Sequence, residues 1–214
     1  MDCRVKPGND ELNVKGVAMN TSEQLVARSN APFAIRAERA SDVVAREAML
    51  DASFGANRQL RTCQRLRDGR TPAQGLAFTA VRNGKLVGTV RLWHVEAGSV
   101  PALVLGPLAV DPSCRGLGIG AALIRHALAA ATARGHGAVI LLGEAAYYSR
   151  FGFSAEKAAS LSLPGPFERE RLLALELRDG ALDGVSGLIC PPARQPPGSQ
   201  SQAFGRHTRL DLAG

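Results

Sequence analysis

The chain has 214 residues, is 45% hydrophobic and 21% charged, and carries 26 basic against 19 acidic side chains, a net charge of +7. That mixture builds one globular domain with tails, and its charge suits an anionic ligand; with no Lys/Arg run interleaved with aromatics, nucleic acid is not expected as a partner. No apolar run is long enough for a membrane span, and Met1-Asp2-Cys3-Arg4-Val5-Lys6 lacks the apolar middle of a signal peptide.

Residues 1–31 show no sustained periodicity and read as a loosely ordered arm, in which Met19 could serve as the start as well as Met1. Phe33-Ala34-Ile35-Arg36-Ala37 alternates as a first strand. Ser41 or Asp42 then caps a helix to about residue 53, with Val43, Val44, Ala48 and Met49 available for one face. A second helix is predicted over 58–68. Its Arg61, Arg65 and Arg67 read most simply as solvated side chains, with contact to an anionic substrate as the alternative. Strands follow over 76–82 and 85–95, joined by Asn83-Gly84, the strongest short hairpin signal. Pro101 opens a third run to Val110, so three antiparallel neighbours are expected. Gly106-Pro107 inside that run marks either an edge strand or a bulge that bends it away from its next neighbour.

The stretch from Leu103 to Gly120 organises the rest. A buried strand leads through a short turn into Arg115-Gly116-Leu117-Gly118-Ile119-Gly120 and then a helix. Glycine lets an anion approach the backbone closely, and the first amides of a helix have no intrahelical partner. With the helix dipole and Arg115, this is a phosphate site made of main chain. The helix runs to about 134, with Leu117, Ala121, Ile124, Leu128 and Ala131 on one stripe and Gly135 at its C-terminal cap. Ala138 to Leu142 is continuously apolar, as in a strand covered on both faces, and should run parallel to the strand before the helix. Glu144 to Ser149 reads as a short helix, Phe151-Gly152-Phe153 as extended chain, Pro164-Gly165-Pro166 as a turn, and 171–178 as a last strand. From about 179 the signal fades, and 185–214, rich in Pro, Ser and Gln, is expected to be a flexible tail. Cys3, Cys63, Cys114 and Cys190 are scattered with no C-x-x-C pair. They read as reduced thiols of a cytoplasmic protein, and no metal site is expected.

The glycine loop between strand and amphipathic helix resembles the R/Q-x-x-G-x-G/A acyl-CoA motif of the GNAT superfamily of N-acetyltransferases. Tyr148-Ser149-Arg150-Phe151-Gly152-Phe153 is similar to that superfamily's Y-x-x-x-G-F segment. The Leu-Gly-Pro-Leu-Ala-Val run and the Tyr147-Tyr148 pair resemble a bacterial subgroup of it. The likeness covers about 33–178, so the domain is placed at 32–180. It implies an α/β fold with a mixed, largely antiparallel sheet and flanking helices. Two of its strands would splay into a V that holds acetyl-CoA as co-substrate. The pyrophosphate would rest on the amides of Arg115, Gly116, Leu117, Gly118, Ile119 and Gly120. The pantetheine arm would pair with the backbone of Leu108, Ala109 and Val110.

The reaction implied is direct attack of an amine on the thioester in a ternary complex. Tyr148 aligns with the tyrosine that protonates the departing sulfur, its alternative being a ring that only shapes the pocket; Tyr147 reads as packing. Glu144 is the first candidate for the base and equally a stabiliser of the following helix, with His94 and Glu96 as second choices. His126 is expected at the surface, and Cys114 beside the loop could be a reactive thiol. Two other readings compete. Gly116-x-Gly118-x-x-Ala121 with Glu144 fits a dinucleotide fingerprint, but residues 111–115 intervene after the strand and antiparallel strands precede it. A non-catalytic acyl-CoA sensor on the same fold would bind the thioester without turnover. The acceptor amine is not legible, and a homodimer is left open.

Overall fold

A computed structural model describes residues 33–192, so the expected N-terminal arm over 1–31 and the tail beyond 192 lie outside the described residues. The strands are β1 (Ala34–Ala37), β2 (Ala77–Arg82), β3 (Lys85–Ala97), β4 (Val100–Val110), β5 (Ala138–Leu142), β6 (Leu161–Ser162), β7 (Leu172–Glu176) and β8 (Gly187–Cys190). The helices are α1 (Val43–Phe54), α2 (Ile119–Ala133) and the single turn α3 (Ala145–Tyr148). The sheet order is β1-β2-β3-β4-β5-β7, with β8 beside the far end of β3 and β6 on β8. All pairings along that order are antiparallel except β4 with β5. This is the mixed, largely antiparallel α/β sheet that the sequence predicts.

Local chemistry explains the connections. Asn83 and Gly84 have φ of 50° and 74°, as a type I′ hairpin turn requires, and Arg82 faces Lys85 across it. At the C-terminal end of α2, the amide of Gly135 donates to Thr132 and that of His136 to Ala131, with Gly135 in the left-handed region. That is a Schellman cap, and it turns the chain directly into β5.

The core has two halves, one on each face of the sheet. On one face α2 lays Ile119, Leu123, Ala127 and Ala131 against Val90, Leu92, Leu103 and Leu105. Gly88 makes the close approach possible, since a Cβ there would sit 2.9 Å from the Ile119 Cγ2. On the other face Trp93, Val95, Val104 and Ile140 pack with Leu66, Leu161 and Ile189. Strand alternation puts Arg91 on the same face as Trp93.

Four expectations are corrected. Helix α1 does not bury Val43 and Val44, which are 41% and 82% exposed. It buries Leu50 and Arg46, because the Arg46 guanidinium is neutralised by Glu38 (2.5 Å) and Glu47 (2.6 Å). Residues 58–68 form short 3-10 turns rather than a helix. There the Thr62 hydroxyl donates to the Pro166 carbonyl (2.5 Å) and Arg65 to that of Pro164 (2.8 Å), so tertiary hydrogen bonds outweigh helix propensity. In α2, Leu117 precedes the helix and is 37% exposed, and the buried stripe is rotated toward Ile119, Leu123 and Ala127. Residues 187–190 are not tail but β8, whose fully buried Ile189 faces Ala97 on β3.

Candidate active site

Strands β4 and β5 are in register at only two pairs, Leu103 with Val139 and Val104 with Ile140. Beyond Val104, β4 stays with β3 as far as Val110, opposite Gly88, while β5 stays with β7 as far as Leu142, opposite Leu172. Two parallel neighbours therefore diverge into a cleft. The divergence starts at a bulge: Gly106 and Pro107 together face the single residue Arg91, with Gly106 at φ 137° and a cis peptide before Pro107. The Trp93 indole N–H donates to the Gly106 carbonyl at 2.6 Å and holds the bulge from the α1 face.

The backbone edges follow from register. The Asp111 amide donates to the Val87 carbonyl, so at alternate positions the main chain of Ala109 also faces β3. The main-chain groups of Leu108 and Val110 point the other way, into the cleft. Of the three residues expected to line it, Ala109 has its backbone committed to the ladder.

The glycine loop lies at the mouth of the cleft. Gly116 and Gly118 have φ of 83° and 74°, conformations that a side chain strains. Arg115 and Leu117 donate their amides to Pro112 (3.3 Å) and Cys114 (3.4 Å), long bonds within the turn. The first bond into α2 runs from the Ala122 amide to Gly118, at 2.9 Å. Among the described residues, the amides of Gly116, Gly118, Ile119, Gly120 and Ala121 have no backbone acceptor, which makes a cluster of donors at a helix N-terminus. The sequence reading missed Ala121 as part of it. The Arg115 side chain is exposed beside this cluster.

Tyr147 and Tyr148 approach the cleft from α3. The Tyr147 hydroxyl covers Gly120, where a Cβ would be 3.0 Å away, so Tyr147 reaches the donor cluster. The Arg150 guanidinium sits 4.1 Å from the centre of the Tyr147 ring. Tyr148 packs edge-on to Tyr147 and Phe153, at ring-centre distances of 5.0 and 5.9 Å. Burial, with the neighbouring Tyr147 phenol, pushes its pKa up to about 12 and keeps it protonated. Glu144 stands at the N-terminus of α3 with its side chain 72% exposed, 3.2 Å from the Arg171 guanidinium.

Several candidates lie elsewhere. His94 faces Leu103 and Glu96 faces Pro101, at the start of β4, because the hairpin carries the end of β3 away from the bulge. His94 instead meets His136, with ring centres 5.4 Å apart and the ring planes tilted by 50°. It also borders an open cavity of about 340 Å³ with Gly69, Arg70, Thr71, Trp93 and Pro192. Cys114 is buried in the core beneath α2, so it is not a reactive thiol at the loop. His126 is exposed, edge-on to Phe78 at 4.6 Å. No cluster of three metal-binding side chains occurs among the described residues, nor does any helix there have the length and apolarity to cross a membrane.

Comparison with known proteins agrees with this geometry. The model of the acetyltransferase (GNAT) family matches residues 44–153. The chain is 32% identical to the uncharacterized N-acetyltransferase YhbS of Escherichia coli K12 over 157 residues, 72% of this chain and 93% of that protein. It is 32% identical over 119 residues to the uncharacterized N-acetyltransferase YjhQ of the same organism, 54% of this chain and 65% of that one. Among solved structures, it matches E. coli YhbS in complex with CoA at a TM-score of 0.66 and 29% identity, covering 75% of this chain and 90% of that one. The match spans β3, the bulged β4, the glycine loop and the tyrosine pair, so the chain belongs to the GNAT acetyltransferase family.

Proposed function

We infer that this protein moves an acetyl group from acetyl-CoA to an amine, and that the cleft between β4 and β5 is where it does so. The observation that carries the reading is the unpaired donor cluster at the start of α2, set at the open end of two diverging parallel strands. A diphosphate on the amides of Gly116, Gly118, Ile119, Gly120 and Ala121 directs the pantetheine arm down the cleft edge of β4. There the backbone of Leu108 and Val110 is available to pair with it. The thioester then ends near the Gly106-Pro107 bulge. The similarity to YhbS, whose structure contains CoA, supports the same ligand here.

With α2 on one face of the cleft, the acceptor comes from the other, where α1 and the 55–76 segment stand. A neutral amine attacks the thioester carbon. The carbonyl oxygen takes up the electron pair beside the Leu108 amide, and the C–S bond then breaks. Tyr148, held protonated, delivers its proton to the departing thiolate and is reprotonated from solvent. Glu144, exposed at the cleft end of β5, takes the ammonium proton directly or through water. The unpaired thiols of Cys63, Cys114 and Cys190 support a cytoplasmic location.

The test is titration of the purified protein with acetyl-CoA, followed by free-thiol release across a panel of primary amines. Saturable binding with amine-dependent thiol release is expected. Binding with no release from any amine would make the protein an acyl-CoA sensor, and no binding would remove the reading altogether.

A further inference from the structure

On the acceptor side of the bulge, Arg46, Arg58 and Arg91 are each paired with carboxylates. Arg91 and Arg46 share Glu38, Arg46 also meets Glu47, and Arg58 meets Glu47 and Asp51 at 2.5 and 2.6 Å. Three arginines and three carboxylates thus close into a neutral network running from β3, opposite the bulge, across α1. Arg67 lies beside this network without joining it.

Arg67 follows Leu66, which is fully buried with Trp93, Val104 and Ile140 on this face. The other two arginines of the segment are engaged: Arg61 lies over the Phe54 ring at 5.3 Å, and Arg65 donates to the Pro164 carbonyl. Arg67 is turned inward. Its Nε–H donates to the Cys63 carbonyl at 3.0 Å, and among the described residues neither terminal nitrogen has a hydrogen-bond partner. Burial is the main cause that holds its pKa below the ordinary value, with the like charges of Arg58 and Arg91 acting the same way and the Asp68 carboxylate acting against them. Asp68, the adjacent carboxylate, is exposed and held by the Gln64 amide at 2.7 Å. Gly69, Arg70 and Thr71, which follow in the chain, rather than Arg67 itself, line with Trp93 the cavity of about 340 Å³, and Trp93 is the residue hydrogen-bonded to the bulge.

Arg67 is half-buried with no carboxylate within ion-pair distance among the described residues, so a ligand that brings a negative charge to it gains a charge-assisted contact. We propose that the acceptor amine carries an oxyanion, a carboxylate or a phosphate, and that Arg67 receives it on its two terminal nitrogens. The planar fork of arginine suits either group. The proposal rests on the acetyl-transfer reading above and adds the charge class of the substrate. It also revises the simplest sequence reading, in which Arg61, Arg65 and Arg67 are all solvated.

Two measurements test it. In the first, thiol release is compared within matched amines: 4-aminobutyrate against butylamine, and phosphoethanolamine against ethanolamine. The anionic member of one pair should be favoured at least about tenfold in kcat/KM, mainly through KM. The pair that shows it tells carboxylate from phosphate. Arg67→Met should abolish the preference while leaving turnover of the neutral member, and Arg67→Lys should keep part of it. Equal use of both members, or equal loss of both in Arg67→Met, overturns the proposal while leaving acetyl transfer intact. The second measurement needs no turnover: succinate and inorganic phosphate are titrated against thermal stability. One of them should raise the wild-type Tm saturably and leave that of Arg67→Met unchanged. Equal shifts in both proteins, or none in either, overturn it. Failure of acetyl-CoA to bind, a separate result, would remove the parent reading.

Discussion

The ring of Tyr148 rests on the α-carbon of Gly143: a Cβ at Gly143 would lie 2.8 Å from the Tyr148 Cδ2 and 3.1 Å from the Leu141 Cδ1. Gly143 does not have a positive φ, so an alanine there is unfavourable by collision rather than by backbone strain. Gly143→Ala should push the Tyr148 ring out of position. The expected result is a kcat lowered roughly tenfold or more with acetyl-CoA affinity nearly unchanged, since a small misplacement of a catalytic group is enough to slow the reaction. Parallel kinetics and binding titrations check it. An unaltered kcat would mean that the exact position of the ring does not matter.

Tyr148→Phe separates the two roles open to this ring. As the proton donor, its loss should reduce kcat by roughly a hundredfold and leave acetyl-CoA affinity within about threefold. Comparable loss of both would make it a wall of the pocket. The chain has only two tyrosines, so Tyr147→Phe isolates Tyr148 for spectroscopic titration. Its phenolate should form only near pH 12, well above the ordinary 10.0.

The donor cluster predicts how acetyl-CoA binding should fail. Gly118→Val forces a branched side chain to a φ of 74° and should weaken acetyl-CoA by at least about tenfold. Gly120→Val should act through a different contact, by displacing the Tyr147 hydroxyl. Calorimetric titration of both variants is the check. Undiminished affinity would take the diphosphate away from this loop.

Glu38 is the hub of the buried ion network, accepting from Arg46 and from both Nε and Nη2 of Arg91. Glu38→Gln leaves two arginines under-compensated where side chains are mostly buried. It should destabilise the protein by roughly 3–5 kcal/mol in urea unfolding. Val44→Ala, on the same helix but 82% exposed, should change stability by no more than about 0.5 kcal/mol.

Asp42 gives a pH signature. Its hydrogen bonds from Arg36, with the Arg39 amide, lower its pKa from 3.8 to about 2. A depressed carboxylate contributes stability that is present above its unfolded value and lost as pH falls toward the folded one. Asp42→Asn should therefore be less stable by roughly 1–2 kcal/mol near neutral pH. The difference should shrink below about pH 4 and vanish near pH 2. A deficit that persists at pH 2 would mean the carboxylate's charge is not what stabilises the chain there.

Much of the molecule was legible because its signals are local. Asn83-Gly84 dictates its turn through φ, Gly135 its cap, and the continuous apolar run 138–142 its double-sided burial. The glycine loop needs only a strand before it and a helix after it to become a donor cluster, and all three are encoded in adjacent residues. These features depend on backbone conformations that each residue favours or forbids on its own, so sequence alone determined the fold class and the phosphate-type loop. The tertiary structure decided what depends on partners far along the chain. Arg46 is buried because Glu38 is there to neutralise it, residues 58–68 are irregular because the 164–166 turn supplies acceptors, and β8 exists because the far end of β3 runs past its pairing with β2. His94 left the site because a hairpin reverses direction, Ala109 because alternate amides face opposite edges, and Arg67 turned inward where its two neighbours did not. The free energy of each of these is a pairwise term between distant residues, and no single residue carries it in its own conformational preference.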